Sequence, residues 1–325
     1  MSNYIVSDTS LGSVADAIRT KGGTSAPLTY PQGFIDAIDA ISGGGDEPIP
    51  EDGKTRIWIH IAEGTPDNRL TFYLRFTASV ANNTTVDWGD GVSETLGSTT
   101  ATNYPHKYPS GGDYIITMTV NSGTIAFEGD SNNRIYGSGA SANSYNRARI
   151  IRIIFGGNVT SIGDYACNNC YGLKSVTIPD SVTSIGSGTY GVVFSSCYNL
   201  QSITIPNNVT SIRSSVFNSC YNLQSVIIPD SVTSIEQRAF YLCYSLTKII
   251  IPDSVTSIGA NAFYNCYGMS EYHFKPTTPP ALASINAFGS ISSDCIIYVP
   301  QGSLNAYKTA TNWSTIASQM QEEPT

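Results

Sequence analysis

The residues best equipped for chemistry in this chain are seven cysteines, three histidines and a pair of aspartates on a glycine turn. Cys167-Asn168-Asn169-Cys170 has the spacing of a metal knuckle, and a structural zinc site there would need two further ligands. His60, His106 and His273 fall in unrelated segments, so the sequence sets none of them beside it. Asp87-Trp88-Gly89-Asp90-Gly91 is the second arrangement. Carboxylates on such a turn either cap its amides or supply oxygen ligands to a calcium ion. No Gly-rich phosphate loop, paired-histidine helix or nucleophile elbow occurs. His106 and His273 have no partner that sequence can place, and are expected at the surface or in turns. The chain is therefore expected not to be an enzyme and to use no cofactor.

The elements that carry most of the cysteines repeat. Cys170, Cys197, Cys220, Cys243 and Cys266 lie 27, 23, 23 and 23 residues apart. Each is followed by a tyrosine (Tyr171, Tyr198, Tyr221, Tyr244, Tyr267), then by a strand opening on Leu or Met, then by a proline. Val-Thr-Ser-Ile follows that proline in four of the copies. A fixed period of this size predicts a solenoid, in which each coil buries its apolar edge against its neighbours alone. In one coil Leu200, Ile203 and Ile205 are expected to face the core and Gln201, Ser202 and Thr204 to face out. Pro206 ends the strand, because it has no N–H for the ladder. Cys167 aligns with Phe194, Phe217, Phe240 and Phe263, so the knuckle resolves into two core positions and all seven thiols are expected to be free and buried. The tyrosines are expected to stack in a row along one edge of the strand face, where aromatic rings pack on one another and also serve as contact residues. An insertion around Gly186–Gly191 adds four residues to one coil and makes a second candidate contact.

A net charge of −8 argues against nucleic acid as a partner, since phosphate binding needs a basic face. Only 13% of the residues are charged, and 20 tyrosines with many Ser, Thr, Asn and Gly make an uncharged, hydrogen-bonding surface. No apolar run approaches the roughly 18 residues of a membrane span. The first residues, Met1 to Asp8, have neither a basic start nor an apolar stretch and are read as lacking a secretory signal.

Ahead of the repeats, apolar residues at 11, 14, 15 and 18 and at 34, 35, 38 and 41 mark two short helices, followed by a Gly- and Pro-containing linker. Leu11 to Gly23 and Phe34 to Ile41 resemble an N-terminal module of tail proteins from phages and prophages of Gram-positive bacteria. Residues 54–129 alternate as strands around Trp88-Gly89-Asp90-Gly91 and Tyr108 to Tyr114, a pairing that resembles the polycystic-kidney-disease type of immunoglobulin-like sandwich. The repeats resemble the BspA-like leucine-rich family, and Cys295 to Trp313 resembles that family's C-terminal cap.

The expected architecture is mainly β. A helical attachment module (1–45) and a linker (46–53) precede an immunoglobulin-like sandwich (54–129) and a connector (130–148). A leucine-rich-repeat solenoid (149–276) and a C-terminal cap and tail (277–325) complete the chain. These resemblances imply a phage tail-tip or tail-fibre protein that binds the host cell surface, protein or glycan, through its solenoid. Val14, Ile18, Phe34, Ile38 and Ile41 would attach it to other virion proteins, with a homotrimer as the expected assembly. The alternative is a bacterial cell-surface adhesin, because both repeat and sandwich types occur there; a remoter one is an accessory module of a carbohydrate-active enzyme. Tyr198, Gln201, Thr204, Tyr221, Gln224 and Tyr244 are the candidate contact residues.

Overall fold

The chain divides into two compact units, Met1–Asp52 and Gly53–Thr325. The computed structural model describes residues 52–129, 133–138, 146–187 and 191–324. Val14, Ile18, Phe34, Ile38 and Ile41 lie outside the described residues, as do Gly188, Thr189 and Tyr190 of the insertion.

The first strands are β1 (Thr55–Ile61), β2 (Thr71–Ala78), β3 (Thr84–Asp87), β4 (Ser93–Leu96), β5 (Thr102–Lys107), β6 (Gly112–Val120) and β7 (Ile125–Phe127), of which β1 and β2 alternate strictly between buried and more exposed residues. They form two facing layers, β1-β6-β3-β4 and β7-β2-β5, with Ile57, Phe72, Leu74, Phe76, Val86 and Trp88 buried between them. Pro105 lies in β5, an edge strand where its missing N–H disrupts no ladder. Gly89 turns the chain at φ +82°, and a Cβ there would meet the carbonyl oxygen of Ile115 at 2.7 Å, so this position requires glycine.

A short hairpin, β8 (Asn133–Arg134) and β9 (Gly137–Ser138), precedes the repeats. The repeats supply two sets of strands. The longer set is β10 (Ile150–Ile154), β12 (Ser175–Thr177), β13 (Ser202–Thr204), β15 (Ser225–Ile227), β17 (Lys248–Ile251), β19 (Glu271–Phe274) and β21 (Ile296–Val299). The shorter set is β11 (Val159–Ile162), β14 (Ser211–Ile212), β16 (Ser234–Ile235), β18 (Ser257–Ile258) and β20 (Ala281–Leu282). Together they wind a β-solenoid of about seven turns.

The Val-Thr-Ser-Ile segments build a second parallel ladder, separate from that of the longer strands. A third runs between the turns: Phe194 N bonds Val216 O, Phe217 N bonds Ala239 O, and Phe240 N bonds Ala262 O. The ladder of the longer strands is in two runs and not one continuous sheet, because β15 and β17 are not paired, while β14, β16, β18 and β20 continue past that point.

Sandwich and solenoid are joined by hydrogen bonds. β10 pairs antiparallel with β1, Ile57 opposite Ile153, and parallel with β12, so eight strands in the order β15-β13-β12-β10-β1-β6-β3-β4 form one sheet. The opposite layer does the same, β11 pairing parallel with β7. Composition marks a boundary at 130–148, but the core has none: buried residues from Ile57 to Met320 form one cluster. The solenoid's first edge is covered by the sandwich, which answers the exposure of an open repeat end. Its other end is closed by β21, the helix α1 (Leu304–Thr309), and β22 (Met320–Glu322), over the buried rings of Phe274, Phe288, Tyr307 and Trp313. Trp313 donates from Nε1 to the carbonyl of Pro280 at 2.8 Å, which satisfies its one polar atom.

Candidate functional site: the strand face and its tyrosine edge

All seven cysteines are free and buried. Four of the repeat thiols point at a carbonyl of the preceding coil: Cys197 to Cys167 O, Cys220 to Phe194 O, Cys243 to Phe217 O and Cys266 to Phe240 O, at 3.2–3.3 Å. A small apolar group that still donates weakly suits this slot, which explains cysteine there. Cys167 N bonds Val193 O as Phe194 N bonds Val216 O, so Cys167 does occupy the phenylalanine position. Burial pushes the thiols of Cys170, Cys197, Cys220 and Cys243 above the ordinary range, and those of Cys266 and Cys295 up to about 12. Because the thiolate is the reactive form, a thiol reagent at pH 8 is expected to label the native protein slowly and to find seven thiols once it is denatured without reductant. A count of three or fewer would contradict the structure.

The aspartate turn is engaged with its own neighbourhood. Asp87 Oδ1 accepts from Gly89 N at 2.9 Å and Asp90 Oδ1 from Val92 N at 3.2 Å. Asp90 Oδ2 lies 2.8 Å from His106 Nε2, and the His106 ring stacks on Trp88 at 4.6 Å. His106 is thus a half-buried strand partner of the turn rather than a residue at the surface or in a turn as expected. Asp87 and Asp90 act as turn caps, and no group of three or more His, Cys, Asp or Glu among the described residues is placed to hold a metal.

His273 also departs from expectation. It is buried, with Nε2 2.9 Å from Glu271 Oε2 and Nδ1 2.9 Å from Glu323 Oε1, and it ties the last coil to the cap. The hydrogen bond from His273, with Lys248 3.1 Å away, holds the Glu271 carboxyl below its ordinary value of 4.5. A depressed carboxyl stabilises the fold above its unfolded value and ceases to as pH falls through its folded one. Acid below about pH 4.5 is therefore expected to lower the melting temperature of the parent chain more than that of Glu271→Gln, which lacks the titrating group. Parallel acid curves for the two would contradict this.

The strand face is flatter than its sequence suggested. Lys174, Gln224, Thr247 and Ser270 are exposed; Thr177, Gln201, Thr204, Ile227 and Ile250 are half-buried. Ser175 and Ser202, expected to point into solvent, are buried, Ser175 to 4% exposure. Strands about 4.8 Å apart leave a side chain this short below the level of its longer neighbours. Ser175 lies opposite Arg152, whose guanidinium sits 5.0 Å from the ring centre of Trp58 on the sandwich strand beyond.

Along the edge, Tyr171, Tyr198, Tyr221, Tyr244 and Tyr267 stack nearly parallel, with ring centres 4.6, 4.7, 5.0 and 5.6 Å apart. Beneath them Asn199 donates to Tyr171 O and Asn222 to Asn199 Oδ1, at 2.7 and 3.3 Å. Of the expected contact residues, Tyr198, Gln201, Thr204 and Tyr221 are half-buried, while Gln224 and Tyr244 are exposed. The row so formed presents hydroxyls and ring edges, and its inner tyrosines have both ring faces covered.

A family model described as a BspA type leucine rich repeat region matches in six copies, over residues 138–270 and 190–292. No curated protein matches the chain. Among solved structures, a leucine-rich repeat protein of T. pallidum is similar at 23% identity and TM-score 0.41, over 56% of this chain and 79% of that one. One from Bacteroides ovatus is similar at 25% identity and TM-score 0.34, over 45% and 44%. A leucine rich cell surface protein from Faecalibacterium prausnitzii is similar at 28% identity and TM-score 0.30, over 49% and 52%. Repeat spacing, parallel ladders and family match agree: residues 138–292 of this chain are similar to a BspA-type leucine-rich repeat region.

Proposed function

We propose that the repeat region is an adhesive surface for a cell-surface protein or glycan, in the manner of a bacterial surface adhesin. The carrying observation is the outward wall itself. Polar, mostly uncharged residues recur in register from Lys174 to Ser270 beside a stacked aromatic edge, which suits an extended ligand held by many modest bonds. Tyr198, Gln201, Thr204, Tyr221, Gln224 and Tyr244 are its centre. With few charges on the wall, binding changes little between 50 and 500 mM salt, two concentrations on the order of those that separate weak from strong screening. Labelled full-length chain applied to bacterial and animal cells tests the role. Binding that falls at least about tenfold, roughly 1.4 kcal/mol, in a Gln201→Arg/Thr204→Arg/Gln224→Arg variant supports it, and equal binding by the folded variant sinks it.

A second reading, a phage tail component binding its host through the same wall, is favoured by the Leu11–Gly23 and Phe34–Ile41 pattern. Its test is separate: deletion of residues 1–45 would abolish incorporation into particles.

A further inference from the structure

We infer that the outer ring face of Tyr267 is a stacking site for one neutral pyranose ring of a glycan, an assignment that rests on the adhesive role proposed above. The tyrosine row has two unlike ends. At the first, Arg147 closes it: NH1 lies 3.4 Å from the Tyr171 hydroxyl and the guanidinium 5.9 Å from its ring centre. At the other, Tyr267 is 58% exposed, against 38% for Tyr244, and among the described residues no ring stacks on its second face.

The register explains why the row stops. Phe288 stacks on Phe263 at 5.5 Å and Asn265 N bonds Gly289 O, so the place where a sixth tyrosine would stand falls at Ser292. Gln319 of the cap holds that segment, donating to Ser292 O at 2.7 Å and Cys295 O at 3.2 Å. The solenoid thus ends its aromatic row one ring short, on an ordered floor carrying the exposed hydroxyls of Ser292 and Ser293.

Three features select a neutral sugar. An aromatic face takes the C–H face of a pyranose over its width, and neighbouring hydroxyls receive the sugar's own. The exposed carboxylate of Asp294, two residues beyond Ser292 in a chain of net charge −8, opposes uronic or sialic acids and phosphates. A ring already stacked on Tyr244 on its inner face has less rotamer freedom left to lose on binding.

The test applies the full chain with its Tyr267→Ala, Tyr267→Trp and Tyr221→Ala variants to an array of neutral pyranose oligosaccharides. The expected result is binding to at least one of them that Tyr267→Ala weakens about tenfold or more. Tyr267→Trp should retain that binding, and Tyr221→Ala should weaken it less than Tyr267→Ala does. Undiminished binding by Tyr267→Ala overturns the assignment, and so does binding of no neutral sugar by the parent. Cell binding that Tyr267→Ala abolishes but periodate oxidation of the cells leaves intact would give the ring to a protein side chain instead, which also overturns it. Failure of the adhesive role reads differently, as absence of binding to any cell by parent and variants alike.

Discussion

Replacing Phe217 with alanine is expected to cost about 3–5 kcal/mol of stability, the usual range for a fully buried phenylalanine. Phe217 has no exposed surface and stacks between Phe194 and Phe240, with ring centres 5.9 and 5.4 Å away. Its removal deletes both contacts and leaves a cavity that neighbouring coils close poorly. Their spacing is held by hydrogen bonds on three sides, among them Phe217 N to Ala239 O. Because the core runs unbroken from the sandwich to the cap, the loss should appear as one shifted transition in urea. A shift worth less than about 1 kcal/mol would mean that the coil rearranges and that the stack is not what holds it. Tyr221→Ala, one step outward on the same coil, is expected to cost less, since that ring is only half-buried.

The second large effect concerns the joint between sandwich and repeats. A fragment of residues 149–325 keeps every repeat and the cap, yet it loses β1 beside β10 and β7 beside β11. Ile150, Ile153 and Phe155 would then face water along an unpaired strand edge, the arrangement that templates aggregation. The fragment is expected to aggregate, or to bind a hydrophobic dye strongly, while residues 53–325 remain monomeric and melt in a single transition. Light scattering after size exclusion decides it. A monomeric fragment with the parent's melting temperature would show that the shared sheets contribute nothing to the repeats.

Much of this architecture was legible in the residues, because the repeat makes each position a vote. The cysteine and phenylalanine rows and the tyrosine stack follow from a 23-residue step that leaves little freedom of register, whereas the end cap came from the resemblance of Cys295 to Trp313 to that of the BspA-like family. Features that do not repeat were harder. Nothing local in Thr55–Ile61 says that its partner lies at Ile150–Ile154, since pairing between distant segments is decided by the whole fold and not by the period of either. The burial of Ser175 and Ser202 depends on the height of neighbouring side chains, which alternation ignores. His106 found its carboxylate across 16 residues, and His273, besides Glu271 two residues away, found Glu323 across 50, separations beyond any motif. Leu242 sits at φ +63°, where its equivalents are Asn169, Ser196, Ser219 and Asn265; the turn geometry overrides a poor local choice. The importance of Tyr267 was hidden for the opposite reason: it looks like its four predecessors, and only the missing ring after it sets it apart.

The shared sheets also decide how the molecule bears a load. A protein that grips a surface is pulled along its length, and a flexible tether between two domains would let each swing and yield on its own. Here a tug along β1 and β10 is spread over the paired residues from Arg56–Ile154 to Ile59–Ile150, with one register shift after Trp58, which must slide past one another together. The opposite layer adds β7 and β11 as a second seam. Bonds sheared in parallel share the strain, so the seam resists where bonds opened one at a time would unzip. In the adhesive role proposed above, the strand wall and the sandwich behind it would then move as one stiff lever.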